Sequence, residues 1–270
     1  MNKKINGFTL VELIIVIALT AILAVVVSKF IRAPINAYDN TAKRVVLVDE
    51  AHTIIKKIKR DTQASLPNSI RVSTVGTKVY LEMMLVDGGG KYRTQLSSTG
   101  TGNILDFTAT DTSFDMLNTT YTFTGGEKIS VNNLGIPGFD AYAGDTITNY
   151  TGATGAATSS ISIAAKKFPL ESMGDKFYIV SDVVTYVCDK TAKTMTRYRG
   201  YIPTVSQPTN DLAAPLSTAS KGLLAQNLSD CRFVYNEGQN SRNGLLSIFI
   251  SINKALESIN LYGESYVPNS

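Results

Sequence analysis

The sequence opens with a basic leader followed by a long apolar run, KKINGFTLVELIIVIALTAILAVVVSKF at residues 3–30. From Phe8 to Ser28 the 21 residues are apolar or small, except for Glu12 and two threonines. A helix of that length crosses the roughly 30 Å hydrocarbon layer of a bilayer. A charge inside such a helix costs about 2.5–3.5 kcal/mol at the bilayer centre, so an ionisable residue there is a candidate functional residue. The stretch therefore predicts one membrane-spanning helix with Glu12 as its first candidate site.

The junction between the leader and the apolar run has the sequence Gly7-Phe8-Thr9-Leu10-Val11-Glu12. This motif resembles the processing site of type IV prepilins and pseudopilins. The resemblance implies that a prepilin peptidase cuts after Gly7 and methylates the new amino terminus at Phe8, and that Glu12 acts in assembly. It also implies the other partners, namely minor and major pilins and an inner-membrane assembly platform. The implied location is a single pass of the inner membrane with a periplasmic head, and incorporation into a surface pilus.

Two simpler interpretations of the apolar run are open at this stage. A secretory signal peptide has a shorter apolar core and a small-x-small cleavage site, which Ala21-Ile22-Leu23-Ala24 matches only faintly because the run continues to Val27. A plain membrane anchor needs neither Glu12 nor a Gly-Phe junction beside lysines. Basic residues flank the run equally on both sides, so the charges do not indicate which end lies in the cytoplasm. The resemblance to prepilins implies that the leader does.

The whole chain is predicted to be α+β and type IV pilin-like, with a long N-terminal helix packed on a β-rich globular head. About 200 residues follow the helix, enough for one substantial core. The expected parts are a cleaved leader at 1–7, a transmembrane and assembly half of the helix at 8–33, an amphipathic half at 34–65, and a head at 66–270 with a loop-rich insertion at 97–165.

The amphipathic half of the helix is predicted from an apolar stripe, whose residues recur three and then four positions apart, as is typical of one helix face. Pro34 lies inside the predicted helix, where a proline removes a backbone hydrogen bond, so we expect a kink or local unwinding near residues 30–34. Pro67 ends the helix, because the residue before a proline disfavours the helical conformation. The stripe consists of Val48, Ala51, Ile55 and Ile58, widened by Val45 and Ile54.

The head is predicted to consist mainly of β-strands, because Tyr and Thr are common and apolar residues alternate with polar ones. We expect a turn at Asp87-Gly88-Gly89-Gly90 and a short helix at 223–228. The predicted strands are 69–73, 78–86, 91–94, 176–180, 183–189, 194–201, 231–235, 244–252 and 258–262, with weaker candidates at 104–108, 120–124, 128–131 and 145–148.

The chain has two cysteines, Cys188 and Cys231, and both fall in the part that the resemblance places outside the cytoplasm. An even number of cysteines in an oxidising compartment favours a disulfide, although two buried free thiols are the alternative.

A second resemblance covers residues 176–270 and 60–72. The order Val-Thr-Tyr-x-Cys-Asp, a hairpin to Arg-Tyr-x-Gly-Tyr, and Leu-x-x-Asn-Leu-x-x-Cys-x-Phe-x-Tyr is similar to the MshO-like minor pilins of the MSHA pilus, the mannose-sensitive haemagglutinin pilus. That subgroup is similar in architecture to the J-type pseudopilins of type II secretion. The middle section, residues 97–165, resembles nothing in either group.

The sequence offers no enzyme motif, and a single histidine argues against most catalytic triads and metal clusters. We therefore expect no catalysis and no cofactor, and without a basic block we expect no nucleic-acid binding. Two functions stay open: a minor pilin of an initiating or tip complex, and a J-type pseudopilin of a type II secretion system. A tip adhesin is one form of the first, with residues 97–165 as its recognition surface.

Overall fold

One helix, α1, runs from Leu10 to Gln63 in the computed structural model, which describes residues 8–237, 243–254 and 257–267. The α+β class is confirmed, since a long apolar N-terminal helix precedes a β-rich head. The helix ends at Gln63. Ser65, which lies two residues before Pro67, forms a β-bridge with Leu85. Contacts divide the chain into two compact units, with the boundary between Asp49 and Glu50.

The helix is uninterrupted through Pro34, so the expected local unwinding is absent. A proline removes only its own backbone donor, and the hydrogen bonds of the turns on either side hold the helix together. The expected bend of the axis stays a prediction.

Residues 50–63 of α1 supply one wall of the head. Ala51, Ile55 and Ile58 of the predicted stripe are buried, together with Ile54. Val45, which was expected to widen the stripe, belongs to the first unit and is exposed. Val48 of the stripe is half-buried, so the apolar spacing marks the buried face from about that residue onward.

Most of the head is one antiparallel sheet of nine strands, with the path β11-β10-β9-β2-β3-β8. Strand β1 pairs with β2, β5 pairs with β9, and β6 pairs with β5. Its strands are β1 (Arg71–Val75), β2 (Lys78–Tyr92), β3 (Asp111–Leu117), β5 (Lys128–Ser130), β6 (Ile147–Asn149), β8 (Ser160–Lys166), β9 (Lys176–Asp189), β10 (Thr194–Arg199) and β11 (Ser220–Ala225).

Two smaller sheets complete the head. A three-stranded sheet has the order β12-β13-β14, and a two-stranded ribbon pairs β4 with β7. Their bounds are β4 (Tyr121–Thr122), β7 (Ala157–Thr158), β12 (Leu228–Asn236), β13 (Gly244–Lys254) and β14 (Glu257–Val267).

The turn expected at residues 87–90 is wrong, because β2 continues through the glycines and pairs with β9. Close approach explains these glycines. A Cβ on Gly89 would lie 2.5 Å from the carbonyl oxygen of Phe177, and one on Gly90 would lie 2.7 Å from the sulfur of Met116. Glycine is needed here because neighbouring atoms occupy the place of a side chain.

Residues 97–165 contribute more regular structure than their Ser-, Thr- and Gly-rich composition indicated. Strands β3 to β8 begin in this section, and Phe114, Phe123 and Ile161 from it are fully buried in one hydrophobic cluster. The weak strand candidates matched β4, β5 and β6 approximately, whereas residues 104–108 form no strand and β3, β7 and β8 were missed.

The late part of the head agrees with the sequence in its hairpins and differs at one element. The hairpin of β9 and β10 is present, and β12, β13 and β14 lie where strands were expected. The short helix expected at 223–228 is wrong, because Ser220–Ala225 form the edge strand β11 against β10. Sheet pairing, which short local patterns do not encode, overrides the helical spacing of the leucines there.

A disulfide joins Cys188 on β9 to Cys231 on β12, with the two Cα atoms 6.6 Å apart. It connects the nine-stranded sheet to the three-stranded one across 43 residues of sequence. Closing a loop of this length lowers the entropy of the unfolded chain, which corresponds to a stabilisation of about 4 kcal/mol in the chain-entropy model.

A buried ionic contact joins the end of α1 to the nine-stranded sheet. Asp61 on the helix accepts hydrogen bonds from the Tyr186 hydroxyl at 2.7 Å and from Arg197 Nε at 2.8 Å. Asp61 and Arg197 keep only 4% and 10% of their side-chain surface exposed. Burial raises the pKa of Tyr186 well above its usual value, and the adjacent Asp61 carboxylate adds to that shift. The phenol therefore stays protonated and donates to Asp61.

Replacing Asp61 with alanine should lower the free energy of unfolding by about 3–5 kcal/mol, because the Arg197 guanidinium would stay buried without its counter-charge. The matched control is Asp39→Ala, which removes the exposed Asp39–Lys43 pair of the same helix. That change should cost about 0.5 kcal/mol or less. Denaturant unfolding of the full chain in detergent measures both variants. Equal losses of stability would contradict the assigned role of Asp61.

Candidate processing and assembly segment

Thr9 caps the N-terminus of α1 and fixes the backbone around Glu12. The Thr9 side-chain oxygen accepts a hydrogen bond from the backbone N–H of Glu12 at 3.3 Å, and its carbonyl accepts the first helical bond from Leu13. The Thr9 hydroxyl also lies 3.5 Å from Glu12 Oε2. This is the N-terminal half of a capping box, in which Ser or Thr precedes Glu by three residues and satisfies an amide that has no helical partner.

Thr9 was not among the predicted site residues, although the sequence contains the pattern of a helix cap there. Thr9-Leu10-Val11-Glu12 has the Thr-x-x-Glu spacing of a capping box immediately before an apolar run. The cap places Glu12 in the first turn of the helix, where the helix dipole favours negative charge. The same four residues therefore begin the helix and stabilise the one carboxylate of the apolar run.

The surface of α1 around and beyond Glu12 is apolar on every side. Phe8, Leu10 and Leu13 are exposed, as are the large side chains of the run up to Ile31. The hydroxyl of Thr20 donates to the carbonyl of Val16 at 2.8 Å, so this polar group is satisfied within the helix. By length and composition α1 is able to cross a membrane. Lipid suits such a surface, because an α-helix pairs its backbone N–H and C=O groups internally.

The carboxylate of Glu12 has no cationic partner among the residues that the structure describes. Its side chain and amide bond only with Thr9, and Lys29 is the next charged residue along the helix. In a surrounding of low dielectric constant an unpaired carboxylate attracts a positive group strongly.

The predicted site residues fall into three places. Phe8 and Glu12 lie at the start of α1 and Pro34 lies within it, whereas Gly7 lies outside the described residues. The two cysteines belong to the second unit, where they form the disulfide. In the ranges 8–237, 243–254 and 257–267, no group of three or more His, Cys, Asp or Glu side chains is placed to hold a metal ion.

Comparison with known families decides the class of this segment. Residues 2–28 match the family model described as the prokaryotic N-terminal methylation motif. The match supports a type IV prepilin-like family. It implies processing by prepilin peptidase and a membrane-anchored N-terminal helix. Comparisons with curated proteins and with solved structures return no match.

Replacing Thr9 with valine should loosen the first turn of α1, because the Glu12 amide loses its acceptor. Loss of a Thr cap costs about 1 kcal/mol, which corresponds to roughly fivefold faster hydrogen exchange at the Glu12 amide. Thr9→Ser keeps the acceptor and is the control. Exchange measured by NMR on the full chain in detergent micelles tests the cap, and an unchanged Glu12 amide in the valine variant would refute it.

Proposed function

We propose that this chain is a minor type IV pilin that takes part in pilus assembly within an initiating or tip complex. Prepilin peptidase removes residues 1–7, the mature helix is held in the inner membrane, and the β-rich head faces the periplasm. The observation that carries the proposal is the methylation motif at residues 2–28, with an acid four residues after Phe8. A plain membrane anchor requires neither feature.

The proposed mechanism uses the unpaired carboxylate of Glu12. Cleavage after Gly7 creates a positively charged amino group at Phe8, which carries the methyl group. The carboxylate of one subunit attracts the amino terminus of a neighbour, and this contact sets the axial register as the helix leaves lipid for a helical bundle. Because both charges are surrounded by apolar side chains, removing one of them leaves the other buried without a partner.

The assignment to a minor subunit rests on the late part of the head. Residues 176–270 are similar in motif order to the MshO-like pilins of the MSHA pilus, and the hairpin and the disulfide fall within that stretch. The J-type pseudopilins of type II secretion are similar in architecture, so a pseudopilin is the alternative function. A deletion strain separates the two. The proposed function requires loss of surface pili with secretion of exoproteins intact, and the reverse phenotype would assign a pseudopilin.

The purified mature protein should begin at N-methylated Phe8. Intact-mass and N-terminal peptide mass spectrometry of membranes from the native host measure this directly. The variant Gly7→Leu should keep its leader, because a branched side chain replaces the small residue before the cut, whereas Gly7→Ala should still be processed. Recovery of the wild-type chain with residues 1–7 attached would contradict the proposed function.

Replacing Glu12 with glutamine should leave cleavage intact and reduce incorporation into filaments at least about a hundredfold, the equivalent of roughly 3 kcal/mol for an unpaired buried charge. Asp39→Asn is the control, since Asp39 is an exposed acid on the same helix. Immunoblots of sheared pili and of membranes compare incorporation with processing. Normal incorporation of Glu12→Gln would remove the proposed role of this carboxylate.

A further inference from the structure

The outer edge of β14 is open. In the three-stranded sheet β14 pairs with β13 along its full length of 11 residues, and no backbone hydrogen bond joins its other edge to any element that the structure describes. The opposite edge strand, β12, lies beside the large sheet and is tied to it by the Cys188–Cys231 disulfide. About half of the N–H and C=O groups of an edge strand point away from its sheet. β14 therefore presents an unused row of donors and acceptors.

This edge lacks several of the features that normally prevent strands from pairing with other chains. Its register with β13 runs from Gly244↔Val267 to Lys254↔Glu257 without a bulge, and β14 contains no proline, lysine or arginine. Soluble proteins usually protect an edge with such features. The edge strand β11 of the large sheet is an internal contrast, because it has only six residues, carries Lys221 and has a register shift against β10.

The side chains beside the open edge have the composition of a protein interface. Tyr262 and Tyr266 on β14 are 53% and 58% exposed and point to the same face. The ring of Phe249 lies 4.7 Å from that of Tyr262, and Arg232 lies over Phe249 at 4.2 Å. Tyrosine, phenylalanine and arginine are enriched where protein surfaces bind each other. The backbone edge and this aromatic face form one continuous surface.

The charge of β14 restricts what can bind there. Its charged residues are Glu257 and Glu264, both acidic, and the Tyr262 hydroxyl donates a hydrogen bond to Glu264. Glu264 is exposed on the same face as the two tyrosines. A basic residue opposite Glu264 would form a complementary pair across the new strand contact, whereas an acidic one would repel it.

We propose that β14 binds an extended segment of a different pilin-type subunit, which adds to the sheet as a fourth strand. The segment carries apolar residues at alternate positions, to cover Tyr262 and Tyr266, and a lysine or arginine opposite Glu264. This inference rests on the proposed function, which supplies the neighbouring subunits, and it names the surface that selects one of them.

A second copy of the same strand does not meet this requirement. β14 contains no lysine or arginine, so a second β14 offers no cation to pair with Glu264. It would instead add its own Glu257 and Glu264 to an edge that is already acidic, and like charges on paired strands are destabilising.

Photo-crosslinking in the native host tests the inference. Benzoylphenylalanine replaces Tyr262 or Tyr266 in the full chain, and Leu223 on the protected edge strand β11 is the control position, since it is similarly exposed. Both β14 positions should crosslink to one other pilin-type subunit, mapped by mass spectrometry to an extended segment, about tenfold more than position 223. Equal crosslinking at position 223, crosslinks between two β14 strands, or no crosslink from a chain that is processed and incorporated would each overturn the inference.

A charge exchange adds a second test, in which the crosslink from position 266 is the readout. Glu264→Lys should reduce the crosslink from position 266 about tenfold, because a like charge then faces the basic residue of the partner. Replacing that basic residue with glutamate should restore the crosslink, and an unrestored crosslink would contradict the predicted pair. The Cys188–Cys231 disulfide reports that the variant head is folded. A chain recovered with its leader attached would count against the proposed function itself, and hence also against the inference that rests on it.

Discussion

Lipid offers no hydrogen-bonding partner, and this constraint governs the first part of the chain. A segment that is apolar on every side must satisfy its backbone internally, which leaves a continuous helix as the solution for a single span. The Thr9 side chain supplies a hydrogen-bond acceptor at the N-terminus of the helix, and the Thr20 hydroxyl donates a hydrogen bond to a backbone carbonyl of the preceding turn. Glu12 is the one acid of the apolar run, and no cation lies beside it among the described residues. In the proposed function, the amino terminus of a neighbouring subunit supplies that charge.

In the head, two buried connections join elements that do not pair within one sheet. Asp61 and Arg197 join the helix end to the large sheet, and the disulfide joins that sheet to the three-stranded one. Both connections lie among residues that are nearly fully buried, where an ion pair or a covalent bond is shielded from water. These connections hold the sheets together on the inside, and the outer edge of β14 is left without a backbone partner in the described chain.

How far the sequence predicts this molecule depends on the range of the interactions involved. The helix was predicted to within two residues at each end, because the apolar run and Pro67 are local signals. The hairpin of β9 and β10 was predicted for the same reason. The glycines at 88–90 were misread as a turn, since their role is set by Phe177 and Met116, which are distant in sequence. Leu223 and Leu224 were misread as helical because only pairing with β10 makes them a strand.

The candidate site divides in the same way. Phe8 and Glu12 were predicted as site residues from a short motif, and the cap by Thr9 was equally local but was overlooked. The open edge of β14 was beyond any sequence pattern, because a strand is an edge only by virtue of the strands that pair elsewhere. Nothing in Glu257–Val267 distinguishes it from a strand at the centre of a sheet.

The two assembly features differ in what they can recognise. In the proposed mechanism, the carboxylate of Glu12 pairs with the amino terminus of a neighbour, a group that every processed subunit of this type carries. The proposed contact at β14 is selective, because a partner strand must match the tyrosines in shape and Glu264 in charge. Specificity is a difference between affinities, and a contact common to all neighbours contributes nothing to that difference. The two proposals therefore divide the work in a filament built from several similar subunits: the axial charge would set the position of a neighbour, and the head would determine which neighbour occupies it.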